Sequence, residues 1–416
     1  MAVSGDNQPR VVILGAGLSG LVLATLLAEE PVSVLIIEQD LPPGRSPAFH
    51  GIVTGLDLLT IRLNPDDLEV RRVSGVASID SAGPDSPSHI ETPNLWSVEH
   101  RALLGALRTR FRSRGGRIIA NQGEVEFVWS EGAVGGLRLL ESGLTFDADL
   151  VVLADESDPR LAEQLGLRPD WPPTQLMHVA KQRYEQPRDR IRDRFGDPDD
   201  LARITSFTAV ASWGPPGYGL VVPGQDAVTV KVAMLLEDEM ATARHIREYL
   251  DEQQGQAPLR DLLDGLEPGA FVTECTPVGG FDARPRFHTD NVLVVNDLVG
   301  MTHPLNRDGF STTLAVCQAA ADVIRGGEFT SRRLAEYSKR LAKDLIAPVN
   351  ARRASNQGPP WQWASLPELL TGMSGVTSDP NSAKLLAGSG SGIVGRLRKL
   401  GRRPGVTRHP TGAYDE

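Results

Sequence analysis

Three glycines and one acid near the start of the chain are the first residues whose types and spacing could do chemistry. Gly15, Gly17 and Gly20 are spaced G-x-G-x-x-G, and Glu38 follows them. In a dinucleotide-binding unit the first glycine allows a tight turn, the second lets the backbone approach a pyrophosphate, and the third lets a helix pack closely on a strand. The acid accepts hydrogen bonds from a ribose 2′-hydroxyl, and its charge would repel a 2′-phosphate. The set therefore predicts a dinucleotide site.

The elements that must position these residues follow in the required order. The apolar run 11–14 predicts a buried parallel strand, 18–29 a helix, and 32–37 a second strand that ends at Glu38. The helix N-terminus would offer N–H groups and the positive end of its dipole to the phosphates. An ordinary βαβ unit, in which the glycines only turn the chain, is the alternative. The motif alone does not separate FAD from NAD.

The segment after Glu38 carries two further candidates. Two successive prolines and a glycine exclude a helix, so we expect 39–54 to be a loop. Such a loop lies over the cofactor, because ligands bind beyond the carboxyl ends of the strands. Arg45 is then a candidate for cofactor binding, with a solvated loop charge as the alternative. His50 is a candidate catalytic residue, with a surface histidine as the alternative.

Length and composition bound the class of protein. A chain of 416 residues is too long to fold around one simple hydrophobic core, so two or three packed subdomains are expected. Residues 1–10 lack the apolar core of a secretory signal. Cys275 and Cys317 are the only cysteines. Two cysteines exclude an iron–sulfur cluster with four cysteine ligands, and their scarcity predicts a protein of the reducing cytoplasm. The net charge of −10 disfavours nucleic-acid binding.

Periodicity predicts the remaining elements. We expect a helix from Ser97 to Arg112, turns at Gly132 and at 135–136, and helical structure over 241–263 except at Pro258. The apolar runs 217–223 and 227–234 predict antiparallel strands, and 309–324 an Ala-rich helix. The runs 149–155 and 291–297 predict buried strands, each of which ends in an acid.

Four later segments carry a resemblance to a known family. Residues 154–159 are similar to an A-D-G-x-x-S turn, and 178–185 are similar to V-x-V-K-x-x-x-E. Residues 218–223 resemble a Y-x-W-x-F-P strand, and 296–300 resemble G-D-A-A-G, which is followed by a proline and a glycine-containing loop. With the N-terminal motif, the chain resembles FAD-dependent oxidoreductases of the p-hydroxybenzoate-hydroxylase-like fold. Within that fold it is similar to the electron-transfer-flavoprotein–quinone oxidoreductase and geranylgeranyl-reductase group.

The resemblance implies an α/β fold, in which a Rossmann-like FAD-binding domain holds an inserted α+β substrate domain with an antiparallel sheet. The implied segments are a first part of the FAD-binding domain (1–165), the substrate domain (166–275), a return segment (276–350), and a C-terminal cap with a flexible basic tail (351–416). The implied activity transfers reducing equivalents to or from an apolar substrate, such as a quinone or a polyprenyl compound. An electron-transfer flavoprotein or a ferredoxin would be the partner.

The site residues implied by the motifs form two sets. The catalytic candidates are His50, Tyr218 and His303, and no metal ligand is expected. The cofactor-binding candidates are Gly15, Gly17, Gly20, Glu38, Arg45, Arg101, Val125, Asp155, Asp297, Gly300, Asp308 and Gly309. Asp297 could bond the ribityl chain, and the N–H groups at the start of the 309–324 helix could face the flavin pyrimidine edge, where negative charge grows on reduction. An NAD-only enzyme does not need this second motif, which favours FAD.

Two alternatives stay open, and departures from the family pattern support the second of them. Glu156 and Asn296 stand where the family has glycine, which predicts an atypical flavin pocket. An aromatic monooxygenase of the same fold is one alternative, and the segment around Lys181 argues against it. A degenerate flavoprotein that serves as a binding subunit is the other.

The C-terminal region has a composition of its own. Residues 351–416 hold nine Lys/Arg and four Asp/Glu, in contrast to the acidic chain as a whole. Residues 361–370 are expected to cap the body, and 371–391 are typical of a flexible linker. A helix over 392–400 would set apolar residues beside basic ones, which would allow peripheral contact with the inner membrane surface. A solvated basic tail is the alternative, which Gly395 and Gly401 favour.

Overall fold

The computed structural model describes residues 8–38, 49–65, 68, 70–79, 88–120, 123–154, 160–167, 171–195, 202–209, 217–257, 259–277, 286–295 and 309–347. The strands in these ranges are β1 (Arg10–Leu14), β2 (Ser33–Glu38), β3 (His50–Thr54), β4 (Val70–Ile79), β5 (Ser88–Glu99), β6 (Arg117–Ala120), β7 (Val125–Ser130), β8 (Ala133–Leu139), β9 (Thr145–Asp147), β10 (Leu150–Leu153), β11 (Leu176–Glu185), β12 (Ala202–Ala209), β13 (Gly217–Pro223), β14 (Ala227–Leu235), β15 (Glu267–Pro277), β16 (His288–Thr289) and β17 (Val292–Val294). The helices are α1 (Leu18–Leu27), α2 (Gly55–Thr60), α3 (His100–Ser113), α4 (Arg160–Gln164), α5 (Arg188–Phe195), α6 (Leu236–Thr242), α7 (Ile246–Gly255), α8 (Leu259–Leu263), α9 (Gly309–Ile324) and α10 (Ser331–Leu341), with a 3-10 turn at Pro173–Gln175 and a π-helical turn at Ala342–Ile346.

The first sheet is parallel apart from one edge strand. Its order is β16-β17-β10-β1-β2-β6, and only β16 runs antiparallel to its neighbour. The side chains of β10 and β17 are buried throughout, as expected of central strands covered on both faces. Helix α1 packs against both α3 and α9. Because β1 and β2 are parallel neighbours, their carboxyl ends lie at the same edge of the sheet, where the glycine turn follows β1.

The second sheet has eight strands in the order β15-β11-β14-β13-β12-β4-β5-β3. All neighbours are antiparallel except β12 and β4. One face, here called the outer face, packs under α5, α7 and α8 through buried apolar residues that include Val230 and Tyr249. The opposite, inner face carries Lys181, Lys231 and Leu220. The sheet curls over this inner face, so that His50 of the edge strand β3 reaches β14 and hydrogen bonds to Thr229.

This mixed α/β arrangement, with a parallel Rossmann-like sheet and a separate, mainly antiparallel sheet, confirms the predicted fold class. Three strands of the second sheet, β3, β4 and β5, come from residues 50–99. The domain bounds stay a prediction.

Several local predictions were wrong, each for a physical reason. Residues 50–54 form β3 instead of the end of a loop, because they pair with β5. That pairing also keeps residues 97–99 extended, so α3 begins at His100. Gly136 lies within β8, where a side chain would meet the backbone oxygen of Phe146 in β9 at 2.2 Å. The helical region 241–263 is interrupted at Ala243, whose φ is +50°.

Candidate active site

The glycine turn after β1 has the geometry of a dinucleotide-binding unit. Gly15 has φ +103°, and its N–H donates to the carbonyl of Ile37 over 2.8 Å, which ties the turn to the end of β2. A side chain at Gly20 would place its Cβ 2.0 Å from the Gly15 carbonyl oxygen, so only glycine lets α1 pack this closely. A Cβ at Gly17, the N-cap of α1, would meet nothing within 4 Å. The space beside Gly17 can therefore accept a group that lies against the backbone at the N-terminus of α1.

Glu38 does not stand alone at the end of β2. Its carboxylate pairs with the guanidinium of Arg108, which lies in α3. Arg108 Nε is buried and has no hydrogen-bond partner among the described residues. A buried donor without an acceptor is costly, so a ligand that offers an acceptor here would be stabilised. The turn, the acid and this donor together fit the pyrophosphate and ribose of an adenine dinucleotide.

Arg108 was missed by the sequence reasoning, which singled out Arg101 in the same helix. Arg101 is exposed at the first turn of α3. Arg108 follows two helical turns later, on the same side of the helix. The seven-residue spacing from Arg101 was a signal in the sequence, but the pairing of β6 with β2, which brings α3 beside Glu38, appeared only in the fold. The role of Arg101 in cofactor binding stays a prediction.

His50 is the first residue of β3 and is buried against β14 of the same sheet. Its backbone N–H donates to Thr229 Oγ1 over 3.0 Å. Its ring lies so close to Gly224 that a Cβ at Gly224 would be 1.9 Å from His50 Nε2. Burial first, then the charge of Arg183, lower the pKa of His50 to about 4, so the imidazole is neutral near neutral pH. The alternative of a surface loop histidine was wrong, since the side chain is 4% exposed. Its catalytic role stays a prediction.

Tyr218 lies on the inner face of the second sheet, half-buried in β13. It packs against two apolar clusters. The buried members of these clusters are Val73, Leu95, Ile204, Leu220 and Val222 in the first, and Met177, Val179 and Ala233 in the second. The inner face thus offers apolar surface around the tyrosine.

Asp57 ties α2 to the first turn of α9. Ser311 Oγ donates to Asp57 Oδ2 over 2.7 Å, and the backbone N–H of Thr54 donates to the same oxygen over 3.1 Å. Burial raises the pKa of Asp57, against the opposing effect of these hydrogen bonds. Because α9 begins at Gly309, the contact sets where its N-terminal N–H groups point. Sequence reasoning missed Asp57, which also forms a capping box with Thr54 at the start of α2.

The other predicted residues are placed as follows. Val125 is buried at the start of β7, within the main apolar core. Six predicted residues lie outside the described residues: Arg45, Asp155, Asp297, Gly300, His303 and Asp308. In the described ranges no group of three or more His, Cys, Asp or Glu side chains is arranged to hold a metal ion. No described helix has both the length and the apolar character needed to cross a bilayer.

Comparison with known proteins covers most of the chain. Residues 13–54 match the family described as NAD(P)-binding Rossmann-like domain. Protein FixC of Rhizobium meliloti (strain 1021) is 24% identical over 353 residues, which cover 80% of this chain and 81% of that protein. The relationship therefore extends well beyond the glycine motif.

Two solved structures show the same fold. A geranylgeranyl bacteriochlorophyll reductase-like protein from Thermoplasma acidophilum superposes with a TM-score of 0.67 and 16% identity, over 94% of this chain and 99% of that one. The halogenase PltM, solved in complex with FAD, gives a TM-score of 0.66 and 13% identity, over 95% of this chain and 84% of that one. Both findings confirm the resemblance seen in the motifs. The chain thus carries a Rossmann-like dinucleotide-binding domain within a fold shared by geranylgeranyl-reductase-like proteins and flavin-dependent halogenases.

Proposed function

We propose that the protein is an FAD-dependent oxidoreductase that transfers reducing equivalents to or from an apolar substrate, such as a quinone or a polyprenyl compound. The observation that carries the proposal is the candidate dinucleotide site. It combines the open space beside Gly17, the Glu38–Arg108 ion pair, and the buried Nε of Arg108, which has no hydrogen-bond partner among the described residues. The similarity to proteins of this fold, one of them solved with FAD, supports the choice of cofactor.

The chain's own residues have distinct tasks in this proposal. The backbone at Gly17 and the N-terminus of α1 would bind the pyrophosphate, and Glu38 would accept hydrogen bonds from the ribose. Asp57 holds α9 through Ser311, so the N-terminus of α9 can be directed at the pyrimidine edge of the flavin. FAD bound in this way would supply the electron- and hydride-transfer chemistry that protein side chains lack.

The inner face of the second sheet supports an apolar substrate. Tyr218 and Leu220 present apolar surface there, and the helices on the outer face close the other side of the sheet. Near neutral pH His50 is a neutral imidazole, since its pKa is about 4, so its ring offers one N–H donor and one acceptor nitrogen with which to orient a proton-bearing group. His50, Tyr218 and His303 are proposed as the groups that hold or move protons. An electron-transfer flavoprotein or a ferredoxin is the proposed electron donor.

The test begins with the absorbance spectrum of the purified full-length protein, with and without added FAD. We expect flavin bands, and rapid anaerobic reduction of the flavin by a reduced electron-transfer flavoprotein or ferredoxin, followed by reoxidation with a quinone. Reduction by NADH or NADPH should be slow. Fast NADPH oxidation that an aromatic compound stimulates, with formation of a hydroxylated product, would instead identify an aromatic monooxygenase. Absence of flavin bands and of FAD rebinding would identify a degenerate flavoprotein.

A further inference from the structure

A single threonine side chain contacts both the main chain and the ring of His50. The backbone N–H of His50 donates to Thr229 Oγ1 over 3.0 Å, and His50 Nδ1 lies 3.4 Å from the same oxygen. Both residues are buried, with 4% of His50 and 0% of Thr229 exposed. The contact between the hydroxyl and Nδ1 is therefore shielded from water, where a hydrogen bond is stronger than at the surface.

The hydrogen of the Thr229 hydroxyl decides which nitrogen of His50 carries the proton. Burial, followed by the charge of Arg183, lowers the pKa of His50 to about 4, so near neutral pH the ring has one N–H and one acceptor nitrogen. Among the described residues, the Thr229 hydroxyl contacts no acceptor other than Nδ1. A buried hydroxyl without an acceptor is costly. Donation to Nδ1 avoids this cost and places the proton of the ring on Nε2.

Gly224 provides the space that the imidazole occupies. A Cβ at Gly224 would lie 1.9 Å from Nε2, 2.4 Å from Cε1 and 2.5 Å from Cδ2 of His50. An atom in the ring plane beyond Nε2 would be distinctly farther from both carbons, so the missing Cβ belongs over the face of the ring. Gly224 is itself fixed, because its N–H donates to the carbonyl of Ala227 over 2.7 Å and its carbonyl accepts from Arg71 over 3.0 Å. The glycine thus covers one face of the ring and leaves the in-plane direction of the Nε2 proton free of its own atoms.

The ring borders the apolar surface of the inner face. Thr229 is the register partner of Val222. Val222 belongs with Leu220 and Ile52 to one apolar cluster. Ile52 follows His50 by two residues in β3, so their side chains lie on the same face about 7 Å apart. His50 therefore stands at the margin of the surface on which the substrate is proposed to pack.

We propose that Thr229 and Gly224 are positioning residues that hold His50 as the Nε2–H tautomer, so that His50 serves as a hydrogen-bond donor to an acceptor oxygen of the substrate and not as a base. This inference rests on the proposed function, because it assigns a task to one residue of that site. The part of the substrate beside His50 then carries an acceptor such as a carbonyl oxygen, since a hydrocarbon would leave the N–H unpaired. Both positioning residues act through His50 and do not touch the substrate.

The first measurement is the tautomer itself. Histidine labelled with ¹⁵N is incorporated into the purified full-length protein, and long-range ¹H–¹⁵N NMR spectra near neutral pH show which nitrogen of each imidazole carries the proton. The signals of His50 are those that disappear in His50→Gln. We expect the Nε2–H form. Thr229→Val should raise the ratio of the Nδ1–H to the Nε2–H form roughly threefold to tenfold, as expected for the loss of one neutral hydrogen bond, whereas Thr229→Ser should not.

Two probes measure what the N–H does for a ligand. Menadione and 2-methylnaphthalene share a ring system, but only menadione has carbonyl oxygens. Their Kd values for the full-length protein are measured by tryptophan fluorescence, and the flavin content of each sample by absorbance. The wild type should bind menadione roughly threefold to tenfold more tightly than the hydrocarbon. His50→Gln, which keeps an N–H donor near the position of Nε2 but has no basic nitrogen, should keep most of this preference, and His50→Leu should lose it.

Further variants test whether the two positioning residues act through His50. Gly224→Ala and Thr229→Val should each reduce the preference for menadione, but neither should reduce it further when His50 is already leucine. The controls are Gly51→Ala, because a Cβ at Gly51 would meet nothing within 4 Å, and Thr205→Val, because Thr205 is buried in β12 with its side chain on the outer face. Both controls should behave as the wild type. Unfolding midpoints check that each variant is folded, and the Thr229 variants decide alone if Gly224→Ala does not fold.

Three outcomes would overturn the proposal. The first is an Nδ1–H form of His50 in the wild type. The second is a His50→Gln protein that loses the preference for menadione as completely as His50→Leu does. The third is an effect of Thr229→Val that is as large in the His50→Leu background as in the wild type. A protein without flavin that shows the Nε2–H form and the preference for menadione would contradict the oxidoreductase and leave this assignment of His50 standing.

Discussion

Arg108 in α3 and Glu38 at the end of β2 form an ion pair between residues 70 positions apart in the chain. Both side chains are largely buried, with 21% and 17% of their surfaces exposed. The pair holds the carboxylate that the motif assigns to a ribose, and it brings the unpartnered Nε of Arg108 to the same place. Arg108 is thus a positioning residue for the acid as well as a donor of its own.

Replacing Arg108 with methionine should weaken FAD binding. The loss of a charged hydrogen bond is worth about 1.5–3 kcal/mol, or roughly tenfold or more in Kd. The control is Arg110→Met, because Arg110 lies in the same helix with the same 21% exposure and pairs with Glu29 instead. Kd values from flavin fluorescence titration of the apoprotein provide the measurement. Equal affinities of the two variants for FAD would remove Arg108 from the cofactor site.

Glu38→Ala and the double variant with Arg108→Met complete a thermodynamic cycle. Since the two side chains act as a unit, the loss of affinity in the double variant should be smaller than the sum of the two single losses. Strict additivity would show that Glu38 and Arg108 bind the cofactor independently.

Gly17→Val should abolish flavin binding and leave the fold intact. The new side chain would fill the space where the pyrophosphate is expected, yet its Cβ meets no protein atom within 4 Å. Gly105→Val is the matched control, since Gly105 in α3 is exposed and also has nothing within 4 Å. Flavin-to-protein absorbance ratios and unfolding midpoints are compared for the two variants. A Gly17→Val protein with full flavin content would contradict the role of the N-terminal motif.

His50 should make the protein less stable in acid. Its folded-state pKa of about 4 lies below its ordinary value of 6.5, so its contribution to stability is fully present above 6.5 and is lost as the pH falls towards 4. The share of this loss that comes from His50 is about 3 kcal/mol in the free energy of unfolding. Urea unfolding at the two ends of the window measures it. His50→Gln should show a smaller loss, whereas His245→Asn, at an exposed position, should keep the wild-type loss.

The basic C-terminal tail, which lies outside the described residues, should promote binding to anionic vesicles. Each Lys or Arg near such a surface contributes about 1 kcal/mol. Sedimentation with anionic liposomes at low salt compares the full chain with one that ends at Ser391. The full chain should pellet with the liposomes to a greater extent. Equal pelleting of the two proteins would show that the tail is a solvated extension.

The sequence by itself determined the local units of this protein. The glycine turn, α1 and the strands on either side of it are contiguous in the chain, so apolar runs and glycine spacing encode their structure directly. The antiparallel pair β13–β14 was predictable for the same reason, because only a short turn joins its strands. Fold class followed from these units and from the motifs that resemble the flavoprotein family.

Tertiary structure alone decided which distant residues meet. Glu38 forms an ion pair with Arg108, and His50 is buried against Thr229, 179 residues away in the chain. Lys181 pairs with Lys231 in the strand register. Hydrophobic periodicity specifies which face of an element is buried, but it does not specify the partner element or the strand register. The pairing of Glu38 with Arg108, the burial of His50 and the register of Lys181 with Lys231 therefore emerged only once the sheets and their neighbouring helices were assembled.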